Sequence, residues 1–129
     1  MKNTSKKEIG NIGEEIASKH LFENGYQILE RNFYTRHGEL DIIAKQKDEI
    51  VFIEVKTRSN YAYGNPREAV TPIKQRHMYQ AAKYYLYKKK QENAFTRFDV
   101  VEVYVEREKI KINHIKQILW NFGHKYIIK

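Results

Sequence analysis

The run Ile50-Val51-Phe52-Ile53-Glu54-Val55-Lys56-Thr57 constrains the fold of this chain more than any other stretch. Its density of β-branched residues predicts a strand covered on both faces, since a strand half open to water alternates apolar and polar side chains. Two charged residues interrupt it. Alternation puts Glu54 and Lys56 on one face and Val51, Ile53 and Val55 on the other. A charge in a covered strand is costly unless it is paired or coordinated, so these two residues mark either an internal ion pair or a site.

The preceding strand, Gly38 to Ala44, decides how many acidic groups share that environment. Gln46 to Glu49 is polar and suits a hairpin turn. Pairing around Lys47 and Asp48 sets Asp41 close to Glu54 across the ladder. Two carboxylates with an ammonium beside them match the needs of Mg²⁺, which takes oxygen ligands and keeps several waters. Lys56 could then orient or deprotonate an attacking water and stabilise developing negative charge. The alternative is a buried Glu54–Lys56 ion pair with Asp41 in a turn.

The remaining elements predict one domain spanning residues 1–129, with 1–5 as a loose end. Ser5 and Glu8 fit a capping box that opens a helix. Ile9, Ile12, Ile16 and His20 form its apolar stripe, widened by Ala17 and Leu21, and Gly25 suits its stop. Glu14 falls at the edge of that stripe, either as a surface glutamate or as a third carboxylate looking into a cleft. Tyr26 to Phe33 predicts the first strand. A loop from Arg58 to Val70 leads to Thr71 and Pro72, a cap and first position for a second helix with Met78, Ala81, Ala82 and Tyr85 inward. Arg97 to Val105 and an edge strand around Ile110 to Ile112 follow, and Ile118, Leu119 and Trp120 are expected to pack on the domain. The order gives an α/β sandwich around a mixed sheet.

Charge narrows the partner. Lys and Arg number 24 against 16 Asp and Glu, a formal net charge of +8. That surplus favours a polyanion, nucleic acid ahead of an anionic membrane surface. With no cysteine, disulfides, thiolate zinc sites and iron–sulfur clusters are excluded. No apolar run approaches a membrane span and no secretory leader is recognisable, so the cytoplasm is the expected location. The five histidines lack zinc spacing, and phosphate-loop, nucleophile-elbow and dinucleotide motifs are missing.

Four elements together resemble a known superfamily. Asp41 followed by Glu54-Val55-Lys56 resembles the core of the PD-(D/E)xK nucleases. Gly10-Asn11-Ile12-Gly13-Glu14 resembles the GxxxE element of RecB-like members and archaeal Holliday-junction resolvases, and Gln75-Arg76-His77-Met78-Tyr79 resembles their QxxxY element. More narrowly, His37 to Ala44, Val51 to Arg58, Tyr63-Gly64-Asn65-Pro66, Glu68-Ala69-Val70, Thr71-Pro72 with Lys74, and Arg97 to Val101 look like signatures of the YraN-like family of small bacterial proteins. This resemblance spans about Ile9 to Leu119 and implies a restriction-endonuclease-like α/β sandwich.

The implied activity is a Mg²⁺-dependent nuclease, with Mn²⁺ as a substitute, cutting phosphodiester bonds in branched or structured DNA. Asp41 and Glu54 would hold the metal, Glu14 would complete the site, Lys56 would act on the water, and Gln75 would position the nucleophile, the lysine or substrate. Arg58, Lys74, Arg76, Lys83 and Tyr61 are the candidate nucleic-acid contacts, DNA being favoured over RNA. The resolvase likeness also implies a homodimer, since two symmetric cuts need two sites. The rivals are a nucleic-acid-binding module that keeps the fold without cutting, and hydrolysis of a small phosphate ester, which leaves the +8 unexplained. Glu39 is expected in a supporting role on Asp41's face. Arg97 and Asp99 suit either a structural ion pair or substrate positioning, Tyr61 and Tyr63 either stacking or packing, and His37 an auxiliary base.

Overall fold

The computed structural model describes residues 6–58, 71–106 and 108–117. Helix α1 (Lys6–Glu23) is followed by strands β1 (Gln27–Thr35), β2 (Gly38–Gln46) and β3 (Glu49–Arg58), helix α2 (Pro72–Lys88), and strands β4 (Phe95–Glu106) and β5 (Lys109–Ile115). The five strands form one mixed sheet in the order β1-β2-β3-β4-β5. All neighbours run antiparallel except β3 and β4, which are parallel because α2 lies in the connection between them. The α/β sandwich expected from the sequence is therefore the observed architecture. The Ser5 cap, the loop after Arg58 (59–70), and Ile118 to Trp120 lie outside the described residues.

Each face of the sheet carries its own core. Under α2, Phe52 and Val100 pack with Leu40, Ile43, Met78, Ala81 and Leu86. Under α1, Val51, Ile53, Val55, Val101 and Val103 pack with Ala17 and Leu21. Strand β3 is buried from Ile50 to Val55, as a run covered on both faces requires.

The inward stripe of α1 differs from the expected one. Ala17 and Leu21 are fully buried, whereas Ile12 is exposed. The cause is the closeness of helix and sheet: a Cβ on Gly13 would fall 1.8 Å from Thr57 Oγ1. Only small residues fit the line of closest approach, so the isoleucines are displaced to its flanks. Within the GxxxE element, Gly13 is thus the glycine that packing demands, and Gly10 faces open space. Gly25 ends the helix with φ 88°, the left-handed stop expected of it.

Arg97 and Asp99 belong to a structural network. Both are buried, and they pair with Val51 and Ile53 in the β3–β4 register, on the α1 face. The Arg97 guanidinium donates to Asp99 (3.0 Å), Glu49 (2.9 Å) and the Tyr26 hydroxyl (2.7 Å). Asp99 also accepts from the Gln117 N–H at 3.1 Å and contacts His114 Nε2 at 2.7 Å. This polar staple joins the start of β1 and β3 to β4 and β5.

Candidate functional site

The β2–β3 hairpin turns at Lys47, which takes the left-handed φ of 53°. Its ladder runs from Gln46–Glu49 to Ile42–Ile53 and stops there. Beyond that point β2 stays with β1 through Leu40, Glu39 and Gly38, while β3 stays with β4 as far as Arg58–Tyr104. The sheet forks. Asp41 stands at the fork, and its Oδ2 accepts the Val55 N–H at 2.8 Å. A side chain here replaces the backbone carbonyl that the ladder would otherwise supply.

Asn32 marks where the β1–β2 ribbon changes which face it presents to α2, with the register unshifted. It sits between the Arg31–Ile42 and Phe33–Leu40 pairs with φ 53°, a conformation asparagine tolerates better than most residues. Alternation slips at this point, so Leu40 joins Ile43 in the α2 core. Glu39, expected on the face of Asp41, is exposed instead. A face count from strict alternation does not carry across the slip.

Glu54 is the most buried acid of the fork, at 4% exposure. Its Oε2 lies 3.4 Å from Lys56 Nζ and 3.4 Å from Lys74 Nζ. Its Oε1 is buried with no hydrogen-bond partner among the described residues. Lys74 reaches it because Thr71 caps α2, accepting the Lys74 N–H at 3.2 Å and fixing the first turn over β3. Lys74, expected as a phosphate contact, is in this structure an ion-pair partner of Glu54.

The crowding is visible in Asp41. Burial first, then the Glu54 charge, pushes its carboxyl up to about 8, with Glu14 adding to the rise; the Val55 N–H and Lys74 pull the other way. Glu14 is raised too, by burial and by the charges of Glu39 and Glu54, against the lowering effect of Arg31 and an Asn32 hydrogen bond. Its carboxylate pairs with Arg31 at 3.9 Å, and Arg31 also holds Glu15 at 3.1 Å. Glu14 thus adds its field to the fork while held by β1. Among the described residues, no three His, Asp or Glu side chains form a ready-made metal cluster. The donor set still suits a hard divalent cation: two oxygen-bearing acids, one with a buried oxygen left over and one reluctant to ionise without a positive charge.

The other expected residues are dispersed. Gln75 is half-buried in the first turns of α2, and its backbone N–H donates to Thr71 O at 2.8 Å. Arg58 ends β3 and is partly buried, so the strand runs one residue further than expected. Arg76 and Lys83 are exposed on α2, Lys83 Nζ lying 5.9 Å from the Tyr79 ring centre. Tyr61 and Tyr63 fall outside the described residues. His37 stands exposed at the β1–β2 turn.

Glu102 was not anticipated. It is fully buried opposite Lys56 in the parallel register, on the same face, with Oε1 held by Asn113 at 3.3 Å and Oε2 without a hydrogen-bond partner among the described residues. The signal was available: an acid inside Val100-Val101-Glu102-Val103 is the same anomaly as Glu54 in its strand.

Residues 13–103, from the close-packed Gly13 to the far side of this face, match the family described as "Uncharacterised protein family UPF0102". The chain belongs to the UPF0102 family. A UPF0102 protein of Caldicellulosiruptor saccharolyticus is 51% identical over 114 residues, covering 87% of this chain and 97% of that protein. One from Syntrophomonas wolfei is 50% identical over 109 residues, covering 84% and 95%. One from Clostridium botulinum strain Loch Maree is 55% identical over 98 residues, covering 75% and 80%. The crystal structure of SSO0001 aligns with 88% of this chain and 53% of its own, at 17% identity and a TM-score of 0.36, a likeness too distant to bear on the site. UPF0102 membership agrees with the YraN-like signatures and names no activity. No described helix is long and apolar enough to cross a membrane.

Proposed function

We propose that this UPF0102 chain is a divalent-cation-dependent nuclease that hydrolyses phosphodiester bonds, with branched or structured DNA as its substrate. The observation that carries this reading is the Glu54 carboxylate, buried with one oxygen unpartnered among the described residues, next to an Asp41 whose ionisation burial and the Glu54 charge oppose.

Asp41 and Glu54 are the residues that would hold Mg²⁺ or Mn²⁺. Such an ion, when bound, neutralises charge at a phosphate and acidifies water at neutral pH. Glu14, fixed by Arg31, supports the field from α1. Lys56, on the strand face of Glu54, orients the attacking water and stabilises negative charge growing on the phosphoryl oxygens. Lys74 neutralises Glu54 in the free protein. Gln75 positions the nucleophile or substrate, and Arg58, Arg76, Lys83 and Tyr61 supply strand contacts that the charge of +8 supports.

The ion pairs at Glu54 favour one competing reading, a binding module in which the acid is structural. A cleavage panel separates the two: linear duplex, single strand, flap and four-way junction, each with Mg²⁺, Mn²⁺ or chelator. The nuclease reading expects metal-dependent cutting that Glu54→Gln and Lys56→Ala abolish while DNA binding persists. Wild type that cuts nothing, with variants that merely lose about 3–5 kcal/mol of stability, would leave the binding module.

A further inference from the structure

The end of the β1–β2 hairpin and the C-terminal half of α2 enclose a cavity of about 500 Å³, lined by Phe33 to His37, Tyr84 and Lys88. A space of that size accepts a small organic ligand. Its chemistry is specific. Tyr34 and Tyr84 are 69% and 45% exposed, and the charged groups on the walls are Arg36 and Lys88, with no carboxylate among the lining residues. Lys88 Nζ lies 5.8 Å from the Tyr84 ring centre.

The walls are fixed before any ligand arrives. Phe33 is buried beside Tyr84, with ring centres 6.3 Å apart and planes at 30°, and stands edge-on to Tyr85 at 5.3 Å. The Thr35 hydroxyl accepts the N–H groups of His37 and Gly38, each at 3.1 Å, and donates to the Gly38 carbonyl at 2.9 Å. Gly38 lies against α2 so closely that a Cβ there would sit 2.9 Å from that of His77. His77, Tyr84 and Lys88 recur on one side of α2, so the same contact that seats the hairpin aims the tyrosine and lysine at its tip. The Tyr84 ring, seated by Phe33, next to the cations Arg36 and Lys88 forms a platform for a planar, anionic ligand.

We propose that this cavity binds an unpaired nucleotide in a single-stranded stretch of nucleic acid, its base against Tyr84 and its phosphates against Arg36 and Lys88. Only an unstacked base offers its face to a tyrosine ring, and such stacking tolerates any sequence. The inference rests on the nucleic-acid part of the function proposed above, and not on its chemistry. Tyr84 stands about 15 Å along α2 from Lys74, so the nucleotide held here is not the one beside the acids. The cavity reads strandedness at a distance from the fork.

The test is binding of labelled oligothymidylate, blunt duplex, and duplex with a single-stranded overhang, in chelator and across a salt series. Wild type should favour single strand and overhang. Tyr84→Ala should weaken both about tenfold or more at every salt, leaving blunt duplex and the salt slope unchanged, and Tyr84→Phe should restore binding. Lys88→Ala should reduce the single-strand salt slope by about 0.7. Tyr84→Phe keeps the ring beside Phe33 and Lys88 is on the surface, so Tyr84→Phe and Lys88→Ala should melt with the wild type, and the melting temperature of Tyr84→Ala is read alongside its binding. Single-strand binding unchanged in Tyr84→Ala and Lys88→Ala, or an equal loss on blunt duplex, would overturn the proposal. Chelator keeps cutting out of the readout: a wild type that never cleaves leaves this result standing, and an idle cavity leaves wild-type cleavage standing.

Discussion

Replacing Asp41 by Asn removes a charge from the fork and keeps an oxygen able to accept the Val55 N–H, now at 2.8 Å. In the folded chain burial and the Glu54 charge hold the proton on Asp41 up to about pH 8, against an ordinary carboxyl value of 3.8. Between those values the native state holds the proton and the unfolded state has lost it. Stability contributed by this group is therefore complete below the unfolded value and drains away as pH rises through the window, at up to about 1.4 kcal/mol per pH unit. Relaxation of the fork and the coupling to Glu54 reduce the total. At pH 8.5, Asp41→Asn should be more stable than wild type by about 1–3 kcal/mol, and the two should converge toward pH 4. Urea titrations at a series of pH values measure this directly. Mg²⁺ should stabilise wild type at high pH, by about 2.7 kcal/mol at a hundredfold excess over its dissociation constant; the Asn variant should lose that response together with any cleavage. If Asp41→Asn is instead destabilised at pH 8.5 more than at pH 5, Asp41 is a stabilising ionic partner and the crowded-acid reasoning is wrong.

Two further outcomes follow from packing. Gly13→Ala drives a methyl into Thr57 and should cost about 1–3 kcal/mol, partly recovered in a double variant with Thr57→Ala; a neutral Gly13→Ala by thermal melting would contradict the close approach. Arg97→Ala strips the staple from buried Asp99 and should cost about 3–5 kcal/mol without changing the salt dependence of nucleic-acid binding, whereas a stable variant that binds poorly would move Arg97 into the interface.

Much of this architecture is legible in the chain. Hairpin arithmetic across Lys47 and Asp48 brings Asp41 toward Glu54, because polar turn residues and a period of two determine a register. Thr71 and Pro72 announce α2 through local chemistry alone. What escaped depends on longer-range geometry. The slip at Asn32 is a single backbone angle with no periodic signature. The displacement of Ile12 from the α1 core follows from how near the helix comes to Thr57, which hydropathy does not encode. Lys74 on Glu54, Arg31 on Glu14 and the tyrosines over the hairpin tip are contacts between elements far apart in sequence.

The fork has a dynamic consequence. Past Ile42 and Ile53 the sheet is two ribbons, β1 with β2 and β3 with β4, and the Asp41 bond to Val55 N–H bridges them. Whatever sets the charge on the acids sets the force between the ribbons: repulsion spreads them, while a proton or a cation draws them together. The Val55 amide is then a gauge of that breathing. Ionised Asp41 is the better acceptor for this amide and also the one Glu54 repels, so the amide's hydrogen exchange, corrected for the intrinsic base-catalysed rate, should slow when a divalent ion relieves the repulsion, reporting the electrostatic state of the acids through the motion of the backbone that carries them.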